Sequence, residues 1–379
     1  IGEQFTGLLA LPLAQLGMLT SHAAAGAPPG LSAPLSAESA RALSLARQAE
    51  AAHQVHAIAL ASKGFSSISG DESRRVLREA FSHATQVALS SLGHFGESAE
   101  VRAKCLMLLH RMVETLGDEG EQGEELLGFL SSALSQLLGA ADARELVELI
   151  TLINQLVLKF KAAILAPVTA LFSPLSTAAF AHLAALDGAI AASSSAAVGA
   201  AAPASEPVRE RRALLRSFYS LLHSLVHSSL ADVLAAPQNS AHAAPSLRVL
   251  LTGCIEGPDM QLQRQCFAIT QKLVELWAGS LAGFETYVLH EVLPVCFQAP
   301  AQPHFSLKDP SALPLLEASA TLQKTILDKL GSELLSYLRD RLLPSLGCEA
   351  AFSAEYARVL AEADARQLRD FMRDSLVPR

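Results

Sequence analysis

The sequence predicts an all-α protein whose helices stack as an α-α superhelix. Three observations predict it. Half of the 379 residues are hydrophobic while only 5% are aromatic, and Ala and Leu, both strong helix formers, dominate. Runs of β-branched residues with alternating polarity are scarce. Helix-length apolar runs recur between short Gly, Pro and Asp breaks and pair at intervals near 40 residues, the period of a HEAT-repeat solenoid with an ARM-type fold. A single helical bundle is the alternative, but fourteen helices with short connections favour a stack.

The uncharged stretch Phe5–Ala37 is broken by Pro12, Gly17 and an Ala/Pro/Gly-rich loop, so it reads as a buried solenoid helix rather than a membrane span. After the break at 22–36, the pattern predicts helices over 38–63, 72–92, 99–116, 124–138, 144–160 and 162–186. Ser98 and Asp142 sit where N-caps belong. In the run from Arg144 to Phe160, the residues Leu146, Leu149, Ile150, Ile153, Leu156, Val157 and Phe160 follow i, i+3, i+4 spacing, a stripe wide enough to touch helices on two sides. Ala162–Leu186 is uncharged too, and Pro167 and Pro174 interrupt it.

A second break, GAIAASSSAAVGAAAPASE, has linker composition. Residues 1–187 thus read as one set of repeats, 188–206 as a flexible linker or loop, and 207–379 as a C-terminal set. Helices are expected there over 206–234, 246–255, 260–276, 284–297, 312–330, 333–346, 354–363 and 365–376. PQNSAHAAP, 237–245, forms a third break, and Pro258–Asp259 precedes the helix at Met260.

The formal net charge of -8 argues against a protein that coats nucleic acid without selectivity, but it leaves room for a local basic strip. Five cysteines, Cys105, Cys254, Cys266, Cys296 and Cys348, are far apart and none forms a CxxC. They read as free thiols in a reducing compartment, and the protein is expected to be soluble and intracellular. No GxSxG, HExxH, Walker A or Gly-rich dinucleotide turn occurs, so no catalytic residue, cofactor or metal is expected. His223 and His227 stand at i, i+4 without a Cys, Asp or Glu close by and read as ordinary helix-face histidines. His53 and His56 read the same way. The acidic run ETLGDEGEQGEE reads as a solvated loop.

Basic residues carry more information. Lys63, Arg74, Arg75 and Arg78 gather around a Ser/Gly loop. Arg102, Lys104 and Arg111 mark one helix, and Lys159 and Lys161 flank Phe160. Arg209, Arg212 and Arg216 line one helix face at i, i+3, i+7. Each group alone could be a solvated face. Stacked helices of a solenoid would align such groups into a stripe that tracks a phosphate backbone, reading A-form shape and 2'-hydroxyls. The RNA-binding set expected on this basis is Arg74, Arg75, Arg102, Lys104, Arg111, Lys159 and Lys161.

Several segments resemble one family. They are LMLLHRMVETLG, ELVELITLINQLVLKFK (145–161), LLRSFYSLL (214–222), the stretch Cys266–Pro300 with KLVELW and LPVCFQAP, and YLRDRLLPSL (337–346). Their order from about Lys63 to the C-terminus resembles the exportin-T family of nuclear export receptors for transfer RNA, in the karyopherin superfamily. The resemblance implies a HEAT superhelix that wraps mature tRNA together with GTP-bound Ran and grips the acceptor end and elbow through backbone contacts. It implies shuttling between nucleus and cytoplasm past nucleoporins. The principal Ran surface of the family lies in N-terminal repeats that this chain is expected to lack, which would make it the C-terminal, cargo-contacting arch. Two departures stand out: the bland break at 188–206, and the loop SSISGDES, poor in basic residues. The competing reading is a HEAT scaffold, or an exportin for protein cargo.

Overall fold

The computed structural model describes residues 2–24, 36–63, 71–116, 132–139, 141–196, 205–257 and 259–376. Every regular element among them is helical, and none is a strand. The all-α helical-repeat class is therefore the observed one. The chain divides into two compact units, Ile1–Leu221 and Leu222–Arg379.

The first unit contains α1 (Gly2–Ala24), α2 (Ala37–Lys63), α3 (Asp71–Phe95), α4 (Ala99–Leu116), α5 (132–139), α6 (Ala143–Phe160) and α7 (Leu165–Ala196), with α8 (Glu206–His227) beginning here. α1 packs on α2 and α3, α2 on α4, α4 on α6, and α6 on α7. These contacts run mostly between helices near one another in sequence, as in repeat architectures. The expected helix from Glu124 is described only from 132, where Leu134 and Leu138 of α5 meet Leu149 and Ile153 of α6 and Leu171 and Leu175 of α7.

Two expectations are corrected in this unit. α1 was expected to be buried. It buries Leu9 and Leu16, but Leu8, Leu11 and Met18 stay exposed; among the described residues it packs on α2 and α3. The break expected from Gly188 begins as helix: α7 runs on to Ala196, since Ala propagates a helix that already exists. Residues 197–204 lie outside the described ones.

α6 is the best-specified helix. Asp142 accepts from the backbone N–H groups of Arg144 and Glu145, and the Glu145 carboxylate accepts from the Asp142 N–H at 2.9 Å, a complete capping box. The buried stripe matches the sequence pattern and adds Leu152. α6 ends at Lys161, whose φ of 47° is rare for a residue with a side chain. A 3-10 turn, Lys161–Ile164, then redirects the chain into α7.

The second unit contains α9 (Asp232–Ala235), α10 (Ser240–Ile255), α11 (Met260–Trp277), α12 (Phe284–Tyr287), α13 (Leu293–Gln298), α14 (Ala312–Leu330), α15 (Ser332–Tyr337), α16 (Leu343–Ser345), α17 (Ala350–Glu362) and α18 (Ala365–Leu376). α11, α14 and α18 pack in succession. The helix expected over 206–234 is interrupted after His227, where Ser229 adopts φ 60°. The break expected at 237–245 is largely helical: a 3-10 turn at Pro237–Asn239 leads into α10 with Pro245 inside it. The buried Asn239 amide donates to the Val233 carbonyl at 2.8 Å and ties this corner together.

Here the repeat becomes explicit. Tyr287-Val-Leu-His-Glu-Val-Leu-Pro294 and Tyr337-Leu-Arg-Asp-Arg-Leu-Leu-Pro344 stand at a constant offset of 50 positions. Both carry a π-helical turn, Val288–Val292 and Leu338–Leu342, just before the proline. The cause is common to both: proline lacks the N–H for the carbonyl four residues back and its ring collides with it. The widened turn relieves that collision. Burial follows the same offset, except that buried Leu289 corresponds to exposed Arg339 and half-buried Pro294 to exposed Pro344. The repeat in this unit is therefore nearer 50 than the expected 40 residues. His290 Nδ1 lies 3.0 Å from the Tyr337 hydroxyl and joins the two modules.

Side chains from one helix often satisfy the bare carbonyls at the end of another. Gln263 of α11 donates to the Ile255 and Gly257 carbonyls after α10. Lys324 of α14 donates to the Leu360 carbonyl of α17 at 2.9 Å. Ser319 donates to the Cys296 carbonyl at 3.2 Å, whose regular helical donor would have been the N–H that Pro300 does not possess.

All five cysteines are free, and Cys105, Cys254, Cys266 and Cys296 are buried. Burial pushes the Cys105 thiol up to about 12, so it behaves as a small hydrophobe rather than a nucleophile. His223 and His227 stack with ring centroids 4.0 Å apart. Burial, and then the neighbouring His227, hold the His223 imidazole below its ordinary value. The folded state thus prefers His223 neutral, while the unfolded chain takes up the proton first. That contribution to stability is present above about pH 6.5 and fades as pH falls below it. The melting temperature should drop between pH 7.5 and 5.5, and His223→Gln should shrink the drop. An equal drop in both proteins rules out His223 as a source.

Candidate nucleic-acid interface

The expected RNA-binding residues fall on α3, α4, α6 and the turn after α6. On α3, Arg75 is exposed and is shared between Glu72 at 2.7 Å and Glu79 at 2.8 Å. The guanidinium holds the Glu72 carboxyl below its usual range. The side chain of Arg74 lies outside the described ones. A solvated pair of this kind contributes little to stability, so Arg75 can exchange its carboxylates for another anion at little cost.

On α4 the three basic residues do not share one side. Lys104 and Arg111 stand at i, i+7 on one face and are half-buried. Arg102 points the other way, into the seam with α6. It donates to both Glu145 oxygens, at 2.9 Å from Nη2 and 3.0 Å from Nε, and to the Gly96 carbonyl at 2.7 Å from Nη1. The two side chains are only 10% and 15% exposed. Arg102 is a clasp between α4 and α6 that also covers the end of α3. The same Glu145 completes the capping box of α6, so one carboxylate orders two helices.

Lys159 on α6 reaches back to α4 and donates to the Val113 carbonyl at 2.5 Å, the same lysine-on-helix-end device seen at Lys324. Lys161 is exposed at the strained corner between α6 and the 3-10 turn. Of the expected set, Arg102 and Lys159 thus spend donors inside the fold. Arg75, Lys104, Arg111 and Lys161 keep some of their surface in solvent. Sequence spacing could not separate the two groups, since both kinds of residue interrupt apolar helices in the same way.

His110 and Gln155 add a polar bridge in the α4–α6 seam, with Nδ1 and Oε1 2.9 Å apart. Across α8, Arg144 pairs with Glu206 and Glu210, and Arg211 pairs with Asp187 of α7. Among the described residues no group of three or more His, Cys, Asp or Glu side chains is arranged to hold a metal.

Comparison with known proteins decides the family. Residues 33–377 match the family model described as Exportin-T. The chain belongs to the exportin-T family. Exportin-T of Homo sapiens is 31% identical over 322 residues, covering 84% of this chain and 31% of that protein. Exportin-T of Mus musculus is 30% identical over 332 residues, 86% of this chain and 32% of that protein. The Arabidopsis thaliana Exportin-T is 26% identical over 322 residues, again 31% of its length. The chain thus spans about a third of the length of the curated relatives it matches. The exportin-T match takes in α2 through α18, and so includes both the α4–α6 clasp and the fifty-residue modules.

Proposed function

We propose that this chain is the cargo-contacting C-terminal arch of a nuclear export receptor for tRNA, acting by carriage rather than catalysis. The receptor binds mature tRNA cooperatively with RanGTP in the nucleus and releases it in the cytoplasm, passing nucleoporins on the way. The exportin-T match over nearly the whole chain is the observation that carries this reading.

Within the arch, the proposed RNA-contacting residues are Arg75, Lys104, Arg111 and Lys161, which keep some of their surface in solvent, with Arg74 also on α3. Arg102 and Lys159 belong to the set as supports that hold α4 against α6. Coupling follows from reciprocity: if tRNA and Ran both favour one curvature of the stack, each raises the affinity for the other by the same factor.

A filter-binding titration of labelled mature tRNA, with and without GTP-locked Ran, tests the reading. The 379-residue chain and the longer receptor that contains it should be compared. The longer receptor should bind at least tenfold tighter with Ran, and the short chain should keep salt-sensitive RNA binding without that gain. Binding of the longer receptor that ignores both Ran and RNA maturity would point instead to a scaffold or protein-cargo role.

A further inference from the structure

Several basic side chains of the first unit are engaged by its acids: Arg102 by Glu145, Arg144 by Glu206 and Glu210, and Arg211 by Asp187. Arg209, Arg212 and Arg216 of α8 are all exposed and stand at i, i+3, i+7 on one face. The opposite face carries the buried residues Leu214, Phe218 and Leu221. The acids of this helix, Glu206 and Glu210, lie on its flank and are engaged by Arg144. Arg209 and Arg212 form no ion pair among the described residues. The eighteen positions before the helix, Gly188–Ser205, contain no charged residue, so the adjoining chain has no acid to offer.

Helix stability does not explain Arg209 and Arg212. Arg209 sits in the first turn, where the helix dipole presents positive charge and a cation is unfavourable. Arg209 and Arg212, like charges at i, i+3, also repel. All three positions carry arginine and none carries lysine, and the guanidinium fork is the group that meets phosphate oxygens bidentately. Successive steps along the helix axis are about 4.5 and 6 Å, which spaces the forks out along a strand rather than on a single phosphate.

We propose that the exposed arginine row of α8, Arg209, Arg212 and Arg216, contacts the phosphate backbone of the RNA cargo. The assignment rests on the tRNA-carrier reading and adds to it a surface outside the α3–α6 set. The row reads charge and strand shape, not bases.

The test is a fluorescence-anisotropy titration of labelled mature tRNA with the 379-residue chain at several salt concentrations. Wild type is compared with the charge-reversal variant Arg209→Glu/Arg212→Glu/Arg216→Glu. A neutral variant, Arg209→Gln/Arg212→Gln, guards against misfolding, and circular dichroism melts accompany both. The reversal should lower affinity at least tenfold and reduce the slope of log K against log salt by about 2, the value for roughly three lost phosphate contacts. The neutral variant should lose between one and two units of slope, roughly in proportion. Folded variants with wild-type affinity and slope overturn the row and leave the carrier reading intact. No tRNA binding by wild type overturns the carrier reading and the RNA assignment of the row with it. If the variants lose only binding to a polyglutamate peptide, the row serves an acidic protein partner and the proposal fails.

Discussion

Arg102→Ala is expected to destabilise the first unit by about 3–5 kcal/mol, the cost of leaving a nearly buried charge without its partner. The remaining Glu145 carboxylate would lose both guanidinium bonds, and the Gly96 carbonyl would lose its donor. Glu145→Ala should cost as much, because it also removes the capping box of α6, whose loss alone is about 1 kcal/mol. The double variant should cost clearly less than the sum of the two, since each single change strands the other group. A thermal or denaturant melt of the four proteins measures this directly. Additive losses would mean that the clasp is an exposed pair in solution. RNA affinity, corrected for the folded fraction, should change little in Arg102→Ala if the residue is a support. A large loss of salt-dependent binding at unchanged stability would return Arg102 to the phosphate contacts.

The second large effect is expected at Tyr356. This side chain is fully buried, and its ring centroid lies 5.3 Å from Phe297, 5.8 Å from Phe371 and 6.0 Å from Phe352. Its hydroxyl donates to the Gln323 side chain at 2.8 Å, and Gln323 in turn donates toward the Met372 sulfur. One residue therefore joins α13, α14, α17 and α18. Tyr356→Ala should cost about 3–5 kcal/mol, as for other large aromatic truncations in a core. Tyr356→Phe keeps the shape but leaves the buried Gln323 oxygen without a donor, at about 1–3 kcal/mol. Calorimetry that finds Tyr356→Phe as stable as wild type would show that a water or a rearranged amide replaces the hydroxyl. Burial pushes this phenol strongly upward, which favours the protonated, donating form.

Much of the fold was legible because helix periodicity is a local property. The stripe from Leu146 to Phe160, the Asp142 cap and the cap at Asp259 appear as the sequence implies. What failed was local as well, but of a different kind. The residues from Gly188 to Ala196 and those after Pro237 have linker composition, yet the first continue α7 and the second form a 3-10 turn and the start of α10. The fifty-residue module shares few letters between its copies, and only the matching π-turns and burial at 287–294 and 337–344 make the register plain.

The candidate site divides in the same way. The basic residue types, their helices and their spacing could be read from the chain alone, as could the family resemblance carried by the order of the apolar segments. Whether a basic side chain serves the fold or a ligand could not. Arg102 and Arg212 both interrupt apolar helices, but one lies between α4 and α6 opposite Glu145 and the other faces water. That difference depends on which acids and carbonyls a neighbouring helix brings within 3 Å, across separations such as the 43 positions from Arg102 to Glu145. Sequence determined the helices, their apolar faces and the family. Tertiary packing alone decided which basic side chains are buried against a neighbouring helix and which stay exposed to water, because an ion pair depends on distances that helix periodicity does not encode.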